Sequence, residues 1–305
     1  MISDLRTGRQ HAFAVLQGLL VTFLWSTSWV LVKIGLDDLD LQPLSFAGLR
    51  YALTAAILLP FGFRAMRLSR RLLARVAIYG LLFVTVAQGA QFAALAVLPA
   101  TAVSLILSSI PVWVAAIAMG GKAERPSIAQ AGGIGLLTVG ALLYFGPFEV
   151  EAGAGIGFVA AAICVVAAAT SSHLGRGLAR DAIARLGGPI GLTSASMAVG
   201  AVVLLAMGVA LEGWPAPDLT GWLIIGWLAV VNTAFAFTLW NHTLRTLTAV
   251  ESSVVNNTMT IQIAVLAIVF LGERLGPLQL IGLLFAAVGA AVVQLAPFIR
   301  RGRDA

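Results

Sequence analysis

The chain has 305 residues, of which 60% are hydrophobic and only 10% charged, with a formal net charge of +6. A soluble domain carries roughly a quarter charged residues, so this composition excludes a soluble fold. The single cysteine, Cys164, excludes a disulfide framework and a Cys-rich metal site.

Charges, prolines and Gly-rich breaks divide the sequence into ten apolar segments, most close to the roughly 20 residues a helix needs to cross a bilayer. The first, about 13–34, follows Arg6 and Arg9 and is too long for the apolar core of a cleaved leader, so it is expected to stay as a helix. It carries Trp25, Trp29 and Lys33 at i+4 steps. Lys33 reads as an interface anchor in preference to a substrate group. The second, 44–63, holds Arg50 about two turns in. The segment 64–75, RAMRLSRRLLAR, reads as an ordinary basic loop at a membrane surface, and a nucleic-acid partner is excluded.

The third span, 72–95, sets Thr85, Gln88 and Gln91 at steps of three. The fourth, 100–119, begins after a tight VLPAT turn and places Ser104 and Ser108 one helical turn apart. Pro111 removes a ladder hydrogen bond near its middle and marks either a hinge or a static kink. Spans 126–146 and 153–174 follow, the latter with Cys164 and His173, and then 189–211. The eighth, 219–243, sets Asn232, Asn241 and His242 among Phe235, Phe237 and Trp240.

The ninth, 246–271, carries Glu251, Ser253, Asn257 and Thr260; Glu251 is expected in a structural ion pair, with Arg245 nearby. In the tenth, 276–298, Gly282, Ala286 and Ala290 recur every fourth position and predict close helix packing. No alternation suited to a membrane β-barrel occurs.

An N-terminus on the cytoplasmic side places every Lys and Arg on that side except Lys33, Arg50 and Arg274. The opposite loops then hold Asp37, Asp38, Asp40, Glu149, Glu151, Glu212, Asp218 and Glu273. Both termini are expected in the cytoplasm.

At a constant offset of 149 the chain matches itself: Ser104 with Ser253, Glu124-Arg125 with Glu273-Arg274, Gln130 with Gln279, Gly133 with Gly282, and Gly140 with Gly289. Two repeats of five spans, 1–148 and 149–305, follow. Five is odd, so the second repeat enters the membrane inverted, and Glu124 and Glu273 fall on opposite faces. Inverted halves of this kind characterise secondary transporters with a site near the midplane. The Glu-Arg pairs read as loop anchors.

Ten spans in two inverted halves, each with an apolar fourth helix, a Glu-Arg loop and a Gly-punctuated fifth helix carrying Gln130/Gly133 or Gln279/Gly282, resemble the EamA-type drug/metabolite transporter superfamily. Within it the chain is most similar to bacterial exporters of aromatic and other neutral amino acids. The resemblance implies efflux across the inner membrane and a central cavity built mainly by spans three, four, eight and nine with one and six.

Polar groups inside spans face neighbours or a wet cavity. The predicted substrate-binding set is Gln88, Gln91, Ser104, Ser108, Asn232, Trp240, His242, Ser253 and Asn257, with Pro111 as hinge. Amides and hydroxyls suit the two ends of a zwitterion, and rings suit a planar side chain. For each residue singly, an interhelical hydrogen bond is the competing explanation. With one cysteine, three histidines and one acid inside a span, no catalytic constellation forms. The expectation is a multi-pass inner-membrane exporter of neutral, especially aromatic, amino acids, working by alternating access without a cofactor. Its partners are that solute and the bilayer. A broad exporter of toxic cations and a non-transporting receptor or scaffold are the alternatives.

Overall fold

The computed structural model describes residues 2–62, 69–118, 127–146, 154–182, 184–185, 188–247 and 249–301. Among these, ten helical spans account for nearly all the structure and no strand occurs. They are α1 (Ile2–Asp37), α2 (Pro43–Gly62), α3 (Arg70–Leu95), α4 (Ala100–Ala118, interrupted), α5 (Ile128–Phe145), α6 (Ala154–Ala182), α7 (Pro189–Glu212), α8 (219–243), α9 (Ala249–Phe270) and α10 (Pro277–Arg301).

By length and composition eight of them suffice to cross a membrane, and Ala100–Val114 and Val254–Phe270 are shorter apolar helices. α4 stops at Leu107 and restarts at Ile110, because Pro111 lacks the N–H that would reach the Leu107 carbonyl. α9 has 22 residues and carries the polar run Glu251-Ser252-Ser253 near its start.

Two helices run longer than expected. α1 has 36 residues, about 54 Å at 1.5 Å per residue, and so extends well beyond a hydrocarbon core of about 30 Å. α6 continues past His173 to Ala182, carrying Arg176 and Arg180 on a helical extension where the sequence suggested a loop. α3 and α8 each contain a π-helical stretch, Leu81–Gln88 and Val230–Phe235. Their first residues are 149 apart, so the irregularity belongs to the repeat and not to one helix.

The motif that repeats in sequence has a local explanation. Ser127 caps α5, accepting from Gln130 N at 3.2 Å, while Gln130 Oε1 accepts from Ser127 N at 3.0 Å. Gln279 does the same for α10, accepting from Gly276 N at 2.8 Å. The paired glutamines are therefore helix-start signals. Glu124-Arg125 lie outside the described residues, whereas Glu273 caps a helix of the other repeat, as described below.

The glycines of the motif set the symmetry. A Cβ added to Gly133 would lie 2.9 Å from the Gly289 carbonyl, and one added to Gly140 would lie 2.5 Å from that of Gly282. The converse contacts, Gly289 on Gly133 and Gly282 on Gly140, are 2.6 Å each. Since Gly133 matches Gly282 and Gly140 matches Gly289, α5 and α10 cross antiparallel and exchange equivalent positions, the self-complementary pattern of a two-fold axis. The halves are inverted.

A second such pair, α2 and α7, closes through Gly48 against the Leu205 backbone and Gly208 against the Ser45 backbone, each 2.6 Å from an added Cβ. Between the two pairs, α1 packs on α8 and α9, and α6 packs on α3 and α4. The first helix of each repeat thus serves the other repeat's third and fourth. The main core joins these groups through Phe46, Phe92, Leu95, Met197, Leu204 and Ile225, with Phe46 and Phe92 edge to face at 5.3 Å.

Candidate functional site

α4 and α9 face each other across a cavity of about 240 Å³, a little below the roughly 300–1,000 Å³ typical of small-molecule sites. α4 contributes Ser104, Leu107, Ser108, Ile110 and Pro111; α9 contributes Asn256, Asn257, Met259, Thr260 and Ile263. Trp29 of α1 and Gln294 of α10 complete it. Four pairs of lining residues are related by the offset of 149: Leu107 with Asn256, Ser108 with Asn257, Ile110 with Met259, and Pro111 with Thr260. The repeat has conserved the wall positions while changing their chemistry, so the α4 side is mainly apolar and the α9 side carries amides and a hydroxyl.

Hydrogen bonds fix what each polar group offers. Ser104 Oγ donates to Thr101 O at 2.9 Å and Ser108 Oγ to Leu105 O at 2.6 Å, so both hydroxyl protons are spent on the helix. Asn257 Oδ1 accepts from Gln294 Nε2 at 3.0 Å, while its Nδ2 is buried with no partner. The break in α4 leaves the Leu107 carbonyl without its ladder donor beside these groups.

Of the residues predicted from sequence, Ser104, Ser108, Asn257 and Pro111 meet in this cavity. Ser253 lies on α9, but its side chain is outside the described residues, as is that of Asn241 on α8. The others have different surroundings. Gln88 accepts from Tyr51 Oη at 2.6 Å, an α2–α3 link, and Thr85 donates to Gly200 O of α7 at 2.7 Å. Gln91 is half-buried on α3 and is not among the lining residues.

Asn232 is fully buried and its Nδ2 donates to Leu24 O and to Thr27 Oγ1, tying α8 to α1. Trp240 packs against Trp25 with ring centroids 5.4 Å apart, and Phe237 packs on the same indole at 5.2 Å. His242 is exposed near the end of α8.

Sequence reasoning missed Asn256, Met259, Ile263 and Gln294. The internal repeat was the available signal: transferring the whole α4 face to α9, and not only its serines, reaches the first two. Gln294 is a polar residue in an otherwise apolar run.

α9 is polar on a second face. Gln262 accepts from Ser26 Oγ at 3.0 Å and donates to Thr22 Oγ1 and Thr258 Oγ1 at 3.3 and 3.1 Å, fastening α9 to α1. Gln262→Leu is expected to cost about 1 kcal/mol or somewhat more, seen as a lower thermal midpoint of the detergent-purified protein with solute affinity preserved.

The charged groups inside the spans are tied down elsewhere. Arg50 is buried, donating from Nε and Nη2 to Thr233 Oγ1 at 3.2 and 3.1 Å, with its guanidinium 5.2 Å from the Tyr51 ring centroid. Lys33 donates to Leu95 O at 2.9 Å and pairs with Asp37 at 3.0 Å. Glu251, for which Arg245 was the expected neighbour, lies 3.0 Å from Nε2 of His11 of α1.

Glu273, at the far end of α9, reaches across to the start of α4. It accepts from Ala100 N at 2.6 Å, from Thr101 N at 3.3 Å and from Thr101 Oγ1 at 2.5 Å. The two cavity walls are therefore joined at this one end. Glu212 caps α2 on the same face, accepting from Leu44 N, Ser45 N and Ser45 Oγ at 2.9, 2.7 and 2.7 Å.

Comparison with known proteins agrees with this architecture. The EamA-like transporter family model matches the chain twice, over residues 12–146 and 155–295. No curated protein matches the sequence. One crystal structure superposes with a TM-score of 0.64 at 20% identity, covering 94% of this chain and 98% of the other, a likeness of fold. With two family matches spanning nearly its whole length, one on each inverted half, the chain belongs to the EamA-like transporter family.

Proposed function

We propose that this transporter exports neutral, especially aromatic, amino acids and related small metabolites across the bacterial inner membrane by alternating access, with both termini in the cytoplasm and the two repeats dividing at 148/149. The observation that carries the reading is the cavity between α4 and α9. It is small, has one apolar and one polar wall, and no charged side chain lines it among the described residues. An amphipathic solute without net charge fits such a site, with Trp29, Ile110 and Ile263 available to an apolar ring and amides and hydroxyls to its polar end.

A carrier of hydrophobic cations needs a carboxylate at membrane depth. Here Arg50 is the only charged side chain fully buried among the described residues, and a buried guanidinium opposes a cation. Family membership favours transport over a receptor or scaffold role.

Purified protein in liposomes loaded with unlabelled Trp, Phe, Thr or Leu is expected to take up labelled amino acid by exchange, Trp and Phe most strongly. Uptake equal to that of empty liposomes for all four defeats the substrate assignment. The same vesicles under an imposed pH gradient report whether protons are coupled to the movement.

A further inference from the structure

The α4 wall and Asn257 of the α9 wall offer opposite hydrogen-bonding chemistry, while Asn256 and Thr260 beside Asn257 can both donate and accept. On the α4 side every one is an acceptor: Ser104 and Ser108 have donated their protons to Thr101 O and Leu105 O, and the Leu107 carbonyl is released by Pro111. These groups also sit where the first segment of α4 ends, the negative end of its dipole. On the α9 side, Asn257 has its oxygen engaged by Gln294 and its two N–H donors free. A buried amide nitrogen with no partner is costly to leave unsatisfied, so the site is finished only when an acceptor arrives.

We propose that the cavity holds its solute in one orientation, with the ammonium at the break in α4, on the Ser104 and Ser108 oxygens and the Leu107 carbonyl, and the carboxylate at Asn257 Nδ2 on α9. Amino-acid export as proposed above is the premise of this assignment, which adds to it which wall reads which charge. The consequence is mechanical as well as selective. α4 belongs to one repeat and α9 to the other, so a zwitterion bridges the two repeats, while a compound with only one of the two groups grips one wall. Discontinuous helices present carbonyl ends to cations in this manner in other transporter folds.

The test uses the purified full-length protein and three compounds: L-phenylalanine, 3-phenylpropionate, which has only the carboxylate, and 2-phenylethylamine, which has only the ammonium. The concentration giving half-maximal thermal stabilisation is read for each, which also reports folding of every variant.

Asn257→Ala is expected to weaken L-phenylalanine and 3-phenylpropionate by roughly ten-fold or more while leaving 2-phenylethylamine within about two-fold. The double variant Ser104→Ala/Ser108→Ala is expected to do the reverse. Asn257→Asp, close in shape to the native residue, keeps the assay decisive if the alanine variant does not fold, and is expected to favour the amine over the acid.

Equal losses for the acid and the amine in Asn257→Ala, or an unchanged order of the two in Asn257→Asp, overturn the orientation. If the native protein is stabilised by none of Trp, Phe, Thr and Leu, the substrate class itself fails and the orientation fails with it. Stabilisation by L-phenylalanine without the wall-specific losses removes the orientation alone.

Discussion

Gly140→Val is expected to be among the most damaging single substitutions outside the cavity, lowering stability by about 3 kcal/mol and sharply reducing the yield of folded protein. The reason lies in what surrounds the position. An added Cβ would lie 2.5 Å from both the Ala286 nitrogen and the Gly282 carbonyl oxygen, and these are backbone atoms that no rotamer change can move. α5 and α10 would have to separate, and they are one of the glycine-closed pairs that frame the bundle. Gly132 and Gly135, on the same helix, have nothing within 4 Å of an added Cβ. Alanine at either is expected to be neutral or slightly stabilising, since it removes backbone freedom at no steric cost. Thermal unfolding of the three variants, followed by tryptophan fluorescence in detergent, checks the contrast; a Gly140→Val protein as stable as the native one defeats the packing argument.

The second large effect is expected at Glu273. Its carboxylate gathers two backbone N–H groups and the Thr101 hydroxyl at the start of α4, and Tyr144 Oη reaches the same hydroxyl at 2.6 Å. Glu273→Ala leaves that helix start uncapped, at a cost of about 1–2 kcal/mol to this arrangement, which corresponds to a roughly five- to thirty-fold shift in a two-state equilibrium. The α3–α4 turn at Leu98 and Pro99, which lines a separate pocket together with Glu273, should then open more often.

Leu98 is buried here, and the one native cysteine, Cys164, is buried too, so the chain offers a low background for thiol labelling. In a Leu98→Cys protein, adding Glu273→Ala is expected to raise reactivity towards a membrane-impermeant maleimide about ten-fold. Unchanged reactivity shows that the carboxylate does not hold the walls together.

The spans and their repeat were legible in the sequence because the bilayer imposes length and composition on every crossing helix. The glycines were legible as a motif, but their pairing was not. Only the antiparallel crossing reveals that Gly133 meets Gly289, the partner of Gly140. The site was legible where a helical stripe was regular. Ser104 and Ser108 on α4 led directly to Asn257.

On α3 and α8, where π-helical stretches run over Leu81–Gln88 and Val230–Phe235, the polar residues follow the reading that each taken singly suggests, a hydrogen bond between helices. Thr85, Gln88 and Asn232 bond to α7, α2 and α1. α9 posed a different difficulty: it is polar on two faces, one lining the cavity and one bonded to α1 through Thr258 and Gln262. Periodicity identifies a face without naming what covers it.

The exchange of first helices between repeats bears on biosynthesis. Of the ten spans α1 is made first, yet its neighbours α8 and α9 are among the last. Through most of translation those neighbours are missing, and its buried serines and threonines bond to carbonyls of their own turns. Separate expression of either half would leave that half's leading helix without its destination and the other half's groove unfilled, so assembly of the native bundle is a late, whole-chain event.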